Sequence, residues 1–350
     1  MSETLLLTGA QGFVGRWFAA ASGFGRVVGV GRSPRRASFT HEATLGPHRV
    51  TAPLPSALRS APQTEYVSCD VRDEHALIAL LRTERPHAIV HLAAALRDDP
   101  PSALFPANVD GTIALLHAVA CSGVRVGRIV LGSSGSVYGA PQRLPVREDD
   151  GVNPPDLYAV SKLAAEWSAH VLARELGLPL VVARIFNVVG PGLDERHACA
   201  RFASQLAAAA HGYAERVVVG DLSPTRDFAD VRDVAAALAI LARRGAAGTT
   251  YNVASGRETA LREVFEILLE HSGAGERVEV VRGYRRAADC PRVVADVGRL
   301  AQLGYAPAHA LSGSLADLYR YYADDVARAV AAAPTNGANR DAIAADATHG

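Results

Sequence analysis

Residues 4–15 read Thr4-Leu5-Leu6-Leu7-Thr8-Gly9-Ala10-Gln11-Gly12-Phe13-Val14-Gly15. A short apolar run ends in three glycines spaced three apart, and a helical pattern begins at Val14. A strand that turns on glycine into a helix lets the backbone approach a phosphate, which then rests on the helix N-terminus. A glycine motif alone is a weak signal; this one stands between the first strand and first helix of a βαβ unit, the context that gives it meaning. The stretch predicts a dinucleotide-binding turn with Gly9, Gln11, Gly12, Phe13, Val14 and Gly15 along the pyrophosphate. The alternative is a purely structural tight turn.

Outward from this turn, short β-rich runs alternate with helical patterns, which predicts a parallel sheet covered on both faces. Candidate strands are Thr4–Leu7, Arg26–Val30, Tyr66–Cys69, Ala88–His91, Arg128–Leu131 and Pro179–Ile185. Helical stretches fall near Val14–Ala21, Glu74–Arg82, Ser102–Cys121 and Leu157–Leu176. Residues 44–63, rich in Pro, Ser and Ala, read as a surface loop. After Ile185 helical patterns at Cys199–His211, Val231–Ala242, Leu261–His271 and Leu315–Val330 predict a smaller lobe over the sheet's carboxyl edge. The expected architecture is a Rossmann-type doubly wound α/β domain over 1–185, a smaller α/β substrate lobe over 186–332, and a disordered tail over 333–350.

Composition bounds the partners. The chain has 350 residues, 49% hydrophobic and 21% charged, and its 36 basic and 36 acidic residues balance. No charge excess steers it toward nucleic acid or an anionic membrane, so any bound anion must meet a local cluster of donors. The four cysteines, Cys69, Cys121, Cys199 and Cys290, lie far apart and form no CxxC pair, which reads as free thiols. No metal ligands are assigned. With no basic segment before the first apolar run and no apolar stretch judged long enough to span a bilayer, a cytoplasmic protein is expected.

The end of the second candidate strand bears on cofactor choice. An acid there would accept a ribose 2′-hydroxyl; instead the chain continues Gly31-Arg32-Ser33-Pro34-Arg35-Arg36. Guanidinium forks suit a 2′-phosphate, so Arg32 and Ser33 are assigned to it and NADP is favoured over NAD. Asp70-Val71 after the third candidate strand faces the adenine. Leu92, Ala93 and Ala94 leave room for the cofactor to cross the sheet edge, and Ile185, closing the sixth candidate strand, is placed with these contacts. His91 reads as a packed core histidine without chemistry.

Tyr158-Ala159-Val160-Ser161-Lys162 sets a phenol and an ammonium one helical turn apart, on one face. A phenol is a poor base at neutral pH; an ammonium that lowered its pKa by about three units would supply roughly 4 kcal/mol. Lys162 is the single lysine among the 36 basic residues, as expected where an arginine fork would not fit. At the end of the fifth candidate strand, Ser133-Ser134-Gly135-Ser136 offers a hydroxyl to share a proton with Tyr158. Ser134 is the first choice and Ser133 the second, with substrate contact assigned to both.

Taken together, these motifs resemble the extended short-chain dehydrogenase/reductase family, which acts on nucleotide sugars. Gly9-x-x-Gly12-x-x-Gly15, His91-Leu92-Ala93-Ala94, Ser133-Ser134 and Tyr158-x-x-x-Lys162 carry the resemblance. It continues through Asn108-Val109-Asp110-Gly111-Thr112, Arg184-Ile185-Phe186-Asn187 and Tyr251-Asn252-Val253-Ala254. Residues 219–233 and the Arg286-x-x-x-x-Pro291 spacing are closest to the GDP-4-keto-6-deoxy-mannose reductases. The resemblance implies that Asn187, Arg226 and Arg286 hold a nucleoside diphosphate. For Arg226 an ion pair with Asp227 or Asp230 is the alternative, and for Arg286 the neighbouring Arg285.

Two reactions remain open: NADPH-dependent reduction of the C4 ketone of a nucleotide-activated 4-keto-6-deoxy sugar, and C4 epimerisation. Asn187-Val188-Val189-Gly190-Pro191-Gly192 reads more like the epimerases, residues 219–233 like the reductases. Dehydration needs an added acid beyond the catalytic hydroxyl, where Gly135 and Ser136 stand. A silent nucleotide sensor would not need Ser134, Tyr158 and Lys162 together. The resemblance also implies a homodimer joined through the Ser102–Cys121 and Leu157–Leu176 helices.

Overall fold

The computed structural model describes residues 3–61, 64–275, 279–282 and 290–333. Strand β1 (Thr4–Thr8) turns at Gly9 into α1 (Phe13–Ala21) and returns as β2 (Arg26–Gly31). A hairpin, β3 (Ser38–Leu45) and β4 (His48–Pro53), and the short helix α2 (Ser56–Arg59) precede β5 (Glu65–Ser68). The chain then runs through α3 (Glu74–Glu84), β6 (Ala88–His91), α4 (Pro101–Phe105), a wide π-turn at Pro106–Asp110, and α5 (Gly111–Ser122). Strand β7 (Arg128–Ser134), helix α6 (Leu157–Leu176) and strand β8 (Leu180–Ile185) follow.

The remainder comprises β9 (Asn187–Val189), α7 (Ala198–Ala210), β10 (Arg216–Val219), β11 (Thr225–Asp230), α8 (Val231–Arg244) and β12 (Thr249–Val253). Last come β13 (Glu258–Ala260), α9 (Leu261–Ser272), β14 (Glu279–Arg282), α10 (Gly298–Ala301), α11 (Leu311–Arg320) and α12 (Ala327–Ala332).

Seven parallel strands form the main sheet in the order β12-β8-β7-β6-β1-β2-β5. Leu5, Leu6, Leu7, Ile89, Val90, Val130, Val181 and Val182 are fully or almost fully buried, as strands covered on both faces must be. The chain leaves β1 in one direction through β2 and β5, and in the other through β6, β7 and β8. Order therefore reverses between β1 and β6, and the crevice outside their carboxyl ends is where an open α/β sheet receives its ligand.

The two lobes interleave along the chain. Strand β12 joins the sheet beside β8, and α8 packs against α1. Conversely, residues 44–61 are not the surface loop expected over 44–63. The β3–β4 hairpin inserts Phe39, Ala43, Leu45 and Ala52 into the core of the second lobe beside Phe202, Leu206 and Tyr322. Phe39, Ala43 and Leu45 share one face at strand periodicity, but a window opening at Thr44 starts past the middle of that strand and sees mainly the Pro- and Ser-rich end.

A second correction concerns Pro101–Ser122. It is one helical run of 22 residues with mean hydropathy 1.3, long and apolar enough on those counts to cross a membrane, contrary to expectation. Its Leu104, Leu115, Leu116 and Val119 are buried in the fold. The expected tail over 334–350, and both Arg285 and Arg286, lie outside the described residues.

Replacing Phe39 by alanine should cost about 3–5 kcal/mol, because a fully buried aromatic leaves a cavity in the second lobe. Urea unfolding of the variant against the parent chain measures this.

Candidate active site

The glycine turn is shaped for close backbone approach. Gly9 has φ +69°, and a Cβ there would lie 2.6 Å from the Leu92 carbonyl carbon. A Cβ on Gly15 would come within 2.2 Å of the Gly9 carbonyl oxygen. Gly12 is the N-cap of α1 and supplies no side-chain cap, so the first-turn N–H groups face the crevice mouth without a competing hydroxyl or carboxylate. These features fit a pyrophosphate at the start of α1.

Gln11 has a different task from direct contact alone. Its Nε2 donates to Pro34 O (3.0 Å) and Tyr66 Oη (2.8 Å), and its Oε1 accepts from Arg36 N (2.6 Å). Arg16 Nη2 donates to the carbonyl oxygens of Arg36 (2.8 Å) and Ser38 (2.6 Å). The loop after β2 is thus braced from α1. Arg32, Ser33 and Arg36 stand on the crevice wall with no carboxylate at the end of β2. Asp70 is also on the wall, but Arg72 grips it at 2.7 Å and holds its carboxyl below the usual range.

Helix α6 meets the end of β7 at three successive turns. The Ser134 side chain acts on the Tyr158 phenol and pulls its pKa down, while its Oγ pairs with Ser136 Oγ (2.9 Å) and accepts from Ser136 N (3.2 Å). Lys162 Nζ donates to the carbonyl oxygen of Gly132, and Ser133 Oγ donates to Glu166. Ser134 and not Ser133 therefore meets the phenol; the Ser133 hydroxyl is buried and already engaged. Glu166 also receives a forked pair from the buried Arg184, with Nη2 to Oε2 at 2.8 Å. Arg184 Nη1 donates to Tyr138 Oη (2.9 Å), which donates to Asn252 Oδ1 (2.7 Å).

Several groups act on the two side chains in opposite senses. Burial pushes the Tyr158 phenol above its ordinary value; the Ser134 hydrogen bond and the Arg97 charge pull it down, and Asp156 pushes it up. Burial brings the Lys162 ammonium down to about 8, opposed by Glu166, and the group is directed at a backbone carbonyl. His91 is a packing residue, as expected: it pairs with Thr8 Oγ1 at 2.6 Å and Thr112 Oγ1 at 3.2 Å, and burial drops it to about 3.

A cavity of about 1130 Å³ opens along the crevice. One wall carries the Gly9–Gly15 turn, Val71 and Leu92–Leu96; the other is made by the hairpin and the segment before α7, including His41, Arg49, Asp194 and His197. Ser134, Tyr158, Lys162 and Ile185 are not on these walls, and neither are Asn187 and Arg226. Asn187 Nδ2 donates to the Asp227 carbonyl at 3.0 Å, and Arg226 Nη1 donates to the carbonyls of Thr225 and Cys290. Arg97, next in sequence to the wall residue Leu96, lies over the Tyr158 ring at 5.7 Å.

Sequence reasoning missed Glu166, Arg97 and the hairpin wall. Glu166 continues the Tyr158/Lys162 spacing by one more turn, so the same periodicity contained it. Arg97 carried no local signal, since only the fold brings the β6–α4 loop over α6.

Fold and site define a nicotinamide-dependent oxidoreductase-type enzyme of the extended short-chain dehydrogenase/reductase architecture. The chain belongs to the NAD dependent epimerase/dehydratase family, whose profile matches residues 5–254. It is 35% identical to the GDP-6-deoxy-D-mannose reductase of Pseudomonas aeruginosa over 280 residues, 77% of this chain and 80% of the relative. It is 33% identical to a UDP-glucose 4-epimerase of Mycolicibacterium smegmatis, covering 91% of this chain and 97% of the relative. Among solved structures, RMD from Pseudomonas aeruginosa complexed with NADPH superposes with a TM-score of 0.74 at 31% identity, covering 93% of this chain and all of that one.

Gly15→Ala should weaken dinucleotide binding at least tenfold, because its methyl displaces the Gly9 carbonyl; titration calorimetry with NADPH reads this. Glu166→Ala should cost about 3–5 kcal/mol in chemical denaturation by leaving the Arg184 guanidinium buried without its carboxylate.

Proposed function

We propose that this protein reduces the C4 ketone of a nucleotide-activated, GDP-linked 4-keto-6-deoxy sugar, using NADPH. The observation that carries the cofactor part is the end of β2, where Arg32 and Arg36 stand on the crevice wall and no acid is present to repel a 2′-phosphate. The reductase relative supports the reaction. When bound, the nicotinamide supplies or accepts the hydride at the sugar carbon. The chain's own residues handle the proton. Tyr158 Oη gives it to the carbonyl oxygen, and Ser134 hydrogen-bonds the phenol and orients that oxygen. Lys162 ties α6 to β7 and presents its remaining donors to the nicotinamide ribose.

C4 epimerisation is the second reading. It is supported by the Mycolicibacterium smegmatis relative and by the hairpin wall, which encloses the crevice and suits a retained cofactor. The same reading makes Asn187, Arg226 and Arg286 the holders of the substrate diphosphate, reached once the lobes engage the nucleotide. A homodimer through α5 and α6 is part of the proposal: Trp167 (59% exposed), Val171 (46%), Phe105 and Ile113 present an apolar face there.

Mixing the protein with NADPH and a GDP-4-keto-6-deoxy sugar tests the choice. Stoichiometric loss of NADPH absorbance is expected. Unchanged absorbance with an inverted sugar by NMR points to the epimerase. Tyr158→Phe should keep NADPH affinity and lose about 10²–10⁴-fold in turnover; near-normal turnover removes Tyr158 from the proton path.

A further inference from the structure

Tyr158 is reached by charged or polar groups from three elements. From the end of β7 comes the Ser134 hydroxyl. From its own helix come Asp156, the N-cap that accepts from Ala159 N at 2.8 Å, and Lys162 one turn on, whose ammonium is held at Gly132. From the β6–α4 loop comes Arg97, with its guanidinium carbon 5.7 Å from the ring centroid and its Nε 2.9 Å from Asp156 Oδ2. Asp98 and Asp99 flank Arg97 in that loop. Asp99 accepts from Leu96 N at 2.7 Å and lies 3.8 Å from Arg196 of the second lobe.

We propose that Arg97 is the positioning cation of the Tyr158 phenol: anchored on the α6 cap by Asp156, it covers the ring and favours the phenolate. The proposal rests on the reading of Tyr158 as the proton carrier. A cation over an aromatic face within about 6 Å is attracted to the ring, and more strongly once the ring bears an oxyanion. Asp156 acts in the opposite sense, and its pairing with Arg97 offsets part of that charge. Arginine keeps its charge throughout the working pH range, whereas the buried lysine is brought down to about 8. A constant charge at Arg97 therefore holds the phenol's proton affinity steady where Lys162 would not. The side chain is half-exposed at the protein surface, so it can swing aside when a sugar approaches Ser134 and Tyr158.

The test uses the full chain labelled at tyrosine Cζ. Comparison with Tyr158→Phe assigns the Tyr158 resonance, and its titration is followed by NMR without any substrate. In Arg97→Gln the midpoint should rise by about one pH unit, a tenfold fall in phenolate at a given pH. Arg97→Lys, which retains a charge on that loop, should return the midpoint toward the parent value. The alkaline limb of the kcat/KM profile, where the proton donor is lost, should move with it. An unchanged or lowered midpoint in Arg97→Gln overturns the proposal. Because the titration needs no turnover, it separates this failure from that of the proton-transfer reading, which Tyr158→Phe activity alone decides.

Discussion

Helix α6 is fastened to the end of β7 by two hydrogen bonds, and the placement of Tyr158 beside Ser134 depends on that seam. Tyr158 meets Ser134, Lys162 meets Gly132, and Glu166 meets Ser133. The side chains lie four residues apart on one helix face, while their partners are three consecutive residues of one strand. A helix rises about 6 Å over that spacing and a strand about 3.3 Å per residue, so only a helix crossing the strand end can make all three contacts. Rotation or sliding of α6 would disengage the phenol from its hydroxyl. The Glu166–Arg184 pair opposes such movement, because separating two buried charges leaves each without compensation.

The hairpin couples the other end of the crevice to the second lobe. Its Thr44 N donates to Glu195 Oε1 at 2.6 Å, and Tyr321 Oη donates to the Pro53 carbonyl at 2.9 Å. Phe39 packs against Gly192, where a Cβ would sit 2.4 Å from the ring. Arg16 reaches from α1 to the start of the same hairpin. The loop that carries Arg32 and Arg36 is therefore continuous with the wall that packs into the second lobe. Occupancy at the cofactor end and the position of the second lobe share a common set of contacts.

Lys162 is held in place by the strand it faces. Its spacing from Tyr158 places it on the same helix face, yet burial lowers its affinity for the proton and the nearest strong acceptor is a carbonyl. An ammonium with a fixed acceptor contributes geometry to the seam. A cation also comes to the ring from Arg97, a residue remote in sequence.

What the sequence by itself determined was everything with a local period. The glycine turn, six of the seven sheet strands and the Tyr158/Lys162 helix follow from spacing, because backbone sterics and side-chain direction act over three or four residues. The packing of His91 in the core was also legible. The tertiary structure alone decided which groups from distant segments meet. It placed the hairpin in the second lobe's core, set Arg97 over Tyr158 and directed Lys162 at Gly132. These contacts join residues 30 to 268 positions apart, where no periodicity extends and only packing of complete elements can choose partners.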